Sequence, residues 1–225
     1  AVTTASISWQ TNDVVVAFVG SEGAVSGEVP NVPTTTGSGI SFGTAQQTHT
    51  SGSDASGGRW AAVATANSSG TFSGSYTHAG STGINTVVGV YILRGSAGIG
   101  NSVLYVGASP TGASLTPTGA DGSICWYVGD WAAAAVTGAS PTATSHNAST
   151  PGPTASPYSQ QIATRVTYYI SELDDQTSSG AVSYGITGSG TGAFTIIAIE
   201  VKASAAGGTD ATVIPPARVD VLIHP

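Results

Sequence analysis

The sequence predicts an all-β protein, a two-sheet antiparallel β-sandwich of jelly-roll-like order, and three observations carry that prediction. Short β-branched or aromatic runs recur between Gly, Ser, Asn and Pro clusters, helical periodicity is absent almost everywhere, and the runs number about eleven, too many for one small sheet. Three of them, VVVAFV at 14–19, TVVGVYIL at 86–93 and TIIAIEV at 195–201, are apolar at nearly every position. Successive side chains of a strand face opposite ways, so such runs are stable only when both faces are covered. Alternating runs such as TFSGSYTH at 71–78 mark strands with one wet side.

In chain order the strands are expected at 5–9 (ASISW), 13–20, 40–47, 58–66 (GRWAAVATA), 71–78, 85–94, 102–107, 123–130 (SICWYVGD), 162–172 (IATRVTYYISE), 181–187 and 193–203. Each is set by its β-branched and aromatic content and bounded by turn-forming residues. Strands 13–20, 85–94 and 193–203 are expected to be central in their sheets. Residues 21–39 and 108–122 read as Gly/Pro/Thr-rich loops. The stretch 132–159 also reads as an exposed loop, with Pro141, Pro151, Pro153 and Pro157. It is longer than compact domains usually allow, so it is either functional or holds an unrecognised strand. The pentapeptide GASPT at 107–111 and 138–142 has unlike neighbours and reflects biased composition.

The chain of 225 residues holds 31 Gly, 11 Pro and no Met, with 8% charged residues. Leu, Ile, Val and Phe make up about one residue in five, near the limit at which chains fail to bury a core. Clustering of the branched residues into strand-length runs argues for order, and small Ser, Thr and Ala side chains lose little entropy on folding. One sandwich domain over 1–204 is expected. The net charge of −7 with five scattered basic residues (Arg59, Arg94, Arg165, Lys202, Arg218) argues against nucleic-acid binding, which needs clustered Lys and Arg. It argues equally against docking on an anionic membrane, and no apolar run has a spanning length. The single cysteine, Cys125, lies in Ile-Cys-Trp-Tyr-Val and reads as a buried strand thiol. No basic segment followed by an apolar stretch opens the chain, so no secretory signal is read.

Motifs that would carry chemistry are few. Gly39-Ile-Ser41-Phe-Gly43 matches the nucleophile-elbow pattern, but TAQQTHTSGSD follows it, with no apolar period for the helix that context requires. His49, His78, His146 and His224 lie far apart, with no metal-ligand spacing and no cysteine pair. Gly188-Ser-Gly190-Thr-Gly192 reads as a hairpin and not a phosphate cradle. Glu172, Asp174 and Asp175 read as a solvated acidic turn, with calcium ligation as the sharper alternative. Asn67-Ser-Ser and Asn147-Ala-Ser match the glycosylation sequon, frequent by chance in Ser-rich sequence. The expectation is therefore no catalytic residue, no metal and no cofactor. Trp9, Trp60, Trp126 and Trp131 fall in or beside predicted strands, where core packing is the default. Trp131, next to Asp130 at a strand end, is the best placed for exposure, and the two form a candidate ligand platform.

The phrases SISWQTNDVVVAFVGSEG, VVGVYILRGSAGIGN, ICWYVGDWAA and TIIAIEVKAS, spread over residues 5–204, resemble those of phage virion structural proteins, described as minor tail or head-decoration β-sandwich proteins of phages of actinobacteria and related hosts. The resemblance implies a non-enzymatic structural role in a virion, with other virion proteins or copies of itself as partners, a homo-oligomeric state and no catalytic residue. A carbohydrate-binding or host-adhesion module that takes host-surface glycans is the alternative, and a Ser-type hydrolase built on Ser41 is a third class.

Residues 205–225 lie outside the resemblance and read as an extended arm. Gly207-Gly208 loosens the chain, and Pro215-Pro216 hold it extended. Beyond them Val219, Val221 and Ile223 line one side of an extended segment and need a partner. Together with Val213 and Ile214 these residues form a candidate assembly arm, which either adds to a sheet edge of a neighbouring subunit or folds back on its own domain.

Overall fold

A computed structural model describes residues 1–21, 29–43, 47–49, 56–77, 86–109, 112–119, 122–130, 142–145, 158–162, 166–176, 180–187 and 194–204. No helix occurs among the described residues, so the all-β class holds. The first half of the chain contributes β1 (Val2–Thr3), β2 (Ile7–Trp9), β3 (Val14–Ser21), β4 (Val29–Pro30), β5 (Thr34–Thr35), β6 (Gln47–His49), β7 (Ser56–Val63), β8 (Ser68–Gly70), β9 (Phe72–Gly74), β10 (Tyr76–Thr77) and β11 (Thr86–Leu93). The second half contributes β12 (Ser96–Gly107), β13 (Ala113–Leu115), β14 (Gly122–Asp130), β15 (Thr142–Ser145), β16 (Tyr158–Ile162), β17 (Val166–Gln176), β18 (Val182–Thr187) and β19 (Phe194–Ala203).

Two main antiparallel sheets, β11-β3-β7-β6 and β12-β19-β14-β17-β16, pack face to face. Short strands cover their outer faces: β1-β9-β5 and β2-β8 lie over the first, and β13-β18-β15 over the second. Strand parity explains this layering. In β3, Val14, Val16 and Phe18 enter the core between the main sheets, while Val15, Ala17 and Val19 enter the core under the first cover. In β14, Cys125 and Tyr127 point inward, and Ile124, Trp126 and Val128 meet the second cover. The continuous apolar runs thus have their two covers, and each large side chain removed from water contributes about 1.5–3 kcal/mol.

The two halves are alike. Apart from β2, β4, β8 and β10, which have no counterpart among the described residues of the second half, each runs cover strand, central strand, cover strand, edge strand, main strand, middle cover strand, last main strand. The corresponding strands begin at Val2 and Ala113, Val14 and Gly122, Thr34 and Thr142, Gln47 and Tyr158, Ser56 and Val166, Phe72 and Val182, and Thr86 and Phe194. These starts are 108 to 111 residues apart in every case. Strand order agrees as well: β11-β3-β7-β6 matches β19-β14-β17-β16, and β1-β9-β5 matches β13-β18-β15. Phe18 and Tyr127 occupy matching inward positions, and their rings stack across the shared core at 6.3 Å and 19°. The second half has one strand more in its main sheet, β12, which adds to the outer side of β19.

Several sequence expectations need correction. Residues 40–43 are irregular, and only Gln47–His49 of the expected strand 40–47 is extended. Gly39 has φ 81° and turns the chain, so Ile40 and Phe42 pack over the first cover, Phe42 against Phe72 at 6.2 Å. The expected strand 71–78 is broken into the short pieces β9 and β10, and 162–172 divides between β16 and β17, which pair as neighbours. Strands β4, β5, β13 and β15 lie in stretches read as loops. Strands β3 and β19 are central, whereas β11 is the terminal strand of its sheet among the described residues. It is nonetheless buried along its whole length.

Candidate assembly site

The buried charged groups of the described residues hold strands to one another. Glu200 of β19 is 1% exposed, a carboxylate inside an apolar strand. It accepts hydrogen bonds from the Asn101 backbone N–H at 3.0 Å, the Thr118 N–H at 2.9 Å and the Thr118 hydroxyl at 2.9 Å. These bonds fasten the segment after β13 to the irregular part of β12, where the register with β19 shifts between Ile99 and Ser102. A buried carboxylate with three donors is satisfied where it lies. Sequence reasoning missed this role; its signal was a lone Glu within TIIAIEV.

Asp13 accepts from the Gln10 N–H at 2.8 Å and from Arg94 Nε at 3.3 Å, tying the turn before β3 to the end of β11. Asn12 in that turn has φ 73°, a left-handed conformation that Asn tolerates. Arg59 of β7 is buried between the main sheets and donates from Nη2 to Ser102 Oγ of β12 at 3.0 Å. Burial pushes its guanidinium down to about 10.

Tyr127 is wedged into the first sheet. Its hydroxyl donates to the Ser56 carbonyl at 3.0 Å, and its ring lies where side chains on Gly20 and Gly57 would be. Complete burial raises its pKa. Cys125, as expected, is a buried thiol.

Trp9, Trp60 and Trp126 are 1%, 1% and 0% exposed and belong to the cores. Trp9 also donates from its indole N–H to the Ser38 carbonyl at 3.0 Å and packs on Phe72 at 5.4 Å. They offer no open face for a ligand. The Asp130 backbone ends β14 opposite Thr167 and Phe194, and Trp131 lies outside the described residues. Ser41 is exposed in the irregular stretch after Gly39, and nothing in 29–43 has the strand-to-helix turn of a nucleophile elbow. Among the described residues no three His, Cys, Asp or Glu side chains are grouped to hold a metal, and no helix is long and apolar enough to cross a membrane.

The assembly-arm residues Val213, Ile214, Pro215, Pro216, Val219, Val221 and Ile223 lie outside the described residues. What the structure places is their point of departure: Ser204, just after β19, donates its N–H to the Gly95 carbonyl just after β11, at 3.2 Å. The ends of the two matching strands therefore meet. Chemically, the described part of the molecule presents strand edges and no reactive cluster. No protein-family model matches the chain, and no curated protein and no solved structure shows significant similarity to it.

Proposed function

We propose that the protein is a non-enzymatic structural component of a phage virion, a head-decoration or minor tail protein, present in several copies and assembled through sandwich contacts and its C-terminal arm. The observation that carries this reading is where the charged chemistry goes. Glu200, Asp13 and Arg59 each bind another strand or turn of the same chain, in a protein with only 8% charged residues. Such an economy of charge, joined to stacked sheets, suits a rigid building block whose partners are other virion proteins or copies of itself. The resemblance of its phrases to virion proteins points the same way. The segment beyond Pro216, with Val219, Val221 and Ile223 alternating, is the part that reaches the partner.

Host-surface glycan binding is the second reading, favoured by one observation: Asp130 closes the central strand β14 immediately before Trp131. A flat indole beside a carboxylate suits a sugar ring. The test compares the whole chain with a chain ended after Pro216. The structural reading expects the short form to stay folded and to lose self-association in sedimentation velocity and retention on purified particles. Undiminished association of the short form, together with glycan binding abolished by Trp131→Ala, would favour the second reading.

A further inference from the structure

We infer that the protein has a second form, a dimer in which two copies exchange halves, and that the Arg94-Gly95 link is the hinge that decides between the two forms. Residues 1–94 of one copy then pack on the half of the other copy that begins at Gly95. The inference does not depend on the virion reading.

The first observation is that the halves are held together by a core. Val16 and Phe18 of the first half share one apolar cluster with Tyr127 and Ile197 of the second. Across it the Tyr127 hydroxyl donates to the Ser56 carbonyl and Arg59 Nη2 donates to Ser102 Oγ, both at 3.0 Å. None of these contacts requires that the two halves belong to one chain. A second copy that brings the missing half restores every one of them, so exchange gives up little of the packing that holds the monomer.

The second is the link itself. Strand β11 ends at Leu93 and β12 begins at Ser96. The first pairs with β3 in one main sheet and the second with β19 in the other, so the chain changes sheet and reverses within two residues. Gly95 makes the turn with φ 65°, a left-handed angle open to glycine and costly to a residue with a Cβ. The closed link is held across the halves by the bond from the Ser204 N–H to the Gly95 carbonyl at 3.2 Å. With Gly95 extended instead, β11 and β12 join into one run from Thr86 to Gly107. The two halves then lie end to end along it and not face to face, and each takes the other half from a second copy. Short connections of this kind are where domain exchange begins.

The third is that unlike halves fit and like halves do not. The ring of Tyr127 occupies the space left by Gly20 and Gly57, which stand opposite one another in β3 and β7. The matching pair in β14 and β17 is Gly129 opposite Tyr168, with a single glycine. A second half therefore lacks the paired opening that the Tyr127 of another second half needs, and a first half supplies it. The smallest closed product of exchange is a twofold dimer of two complete sandwiches.

The experiment refolds wild type, Gly95→Val and Gly95→Asn from denaturant over a range of protein concentrations and reads the dimer by sedimentation velocity. Gly95 is exposed, so substitution acts through its backbone angle. A β-branched residue disfavours that angle by about 5–30-fold, and a dimer frees two links at once, so Gly95→Val should raise the dimerisation constant by about 30-fold or more. Asn tolerates the angle, so Gly95→Asn should stay close to wild type. When copies labelled at Phe are mixed before refolding with copies labelled at Tyr, isotope-filtered NMR of the dimer should show Phe18–Tyr127 contacts between copies. Wild type refolded at high concentration provides a test free of any substitution: its dimer share should grow with concentration and carry the same contact. A wild type that stays monomeric at every concentration overturns the inference. So does a folded Gly95→Val chain that associates no more than Gly95→Asn. A dimer whose Phe18–Tyr127 contacts stay within one copy overturns it too, because the copies would then meet through their outer surfaces.

Discussion

Gly57→Ala should destabilise the protein, although replacing Gly by Ala at an unstrained site usually stabilises by about 0.4–1 kcal/mol through the unfolded chain. Gly57 lies in β7 under the ring of Tyr127. A Cβ there would stand 2.5 Å from Cε1 of that ring and 3.2 Å from both Cδ1 and Cζ. The ring has little room to retreat: it is fully buried, stacked on Phe18 at 6.3 Å and tethered through its hydroxyl to the Ser56 carbonyl at 3.0 Å. Forcing a methyl into such a core costs about 1–3 kcal/mol, which outweighs the entropic gain. The net loss is about 1–2 kcal/mol. For a domain of this size it corresponds to a fall in Tm of about 2–8 °C. Urea unfolding of wild type, Gly57→Ala, Tyr127→Ala and the double variant completes the cycle. In the Tyr127→Ala background the alanine at 57 should be neutral or stabilising, a coupling of at least about 1 kcal/mol. A Gly57→Ala variant as stable as wild type, or a coupling near zero, would refute the packing described here.

Glu200→Gln keeps the shape but removes the charge from three hydrogen bonds, and should lower stability by about 1–3 kcal/mol, with faster exchange at the Asn101 and Thr118 amides as the local readout. At alkaline pH two buried groups act oppositely. The unfolded Tyr127 phenol ionises above about pH 10 while the folded one stays protonated, so its contribution is full below pH 10 and falls above it by about 1.4 kcal/mol per pH unit. Arg59, held down to about 10, loses its proton first in the folded state and so adds stability over the same range. Tyr127→Phe should therefore hold its stability better than wild type between pH 10 and 11, which denaturant titrations at both pH values check. The fragments 1–94 and 95–225 should each lack a cooperative melt, since Val16 and Phe18 of one and Tyr127 and Ile197 of the other share a core. Mixing them should restore the melt.

Much of the fold was legible because the central strands write their environment into every position. In VVVAFV both parities are apolar, which demanded two covers, and the structure supplies the second main sheet on one side and the short cover strands on the other. Of the cover strands, β2, β9 and β18 fall in expected strands, whereas β1, β5, β8, β13 and β15 were missed. The missed ones are two to four residues long, set in Gly, Thr and Pro, and held by the sheet beneath more than by their own propensity. Ile40 and Phe42 misled because alternation within an irregular lid looks like alternation in a strand. The likeness of the halves escaped notice because it is kept in face pattern and not in identity: Val15 answers to Ile124, Ala17 to Trp126 and Phe18 to Tyr127. The literal repeat GASPT falls at unrelated positions. At the site, three tryptophans were read as core and are core. The arm and Trp131 lie beyond the described residues, and the role of Glu200 was missed although a lone Glu stood within TIIAIEV, because two backbone amides and the Thr118 hydroxyl are its partners and no sequence pattern records that pairing.

The most direct measurement for the proposed role is the copy number of this chain in density-banded phage particles from a host that carries its gene, by quantitative mass spectrometry against the major capsid protein. The structural reading predicts a fixed ratio of several copies per particle that survives repeated banding. A chain found only in the soluble fraction, or at a ratio that falls toward zero with each banding, would contradict it.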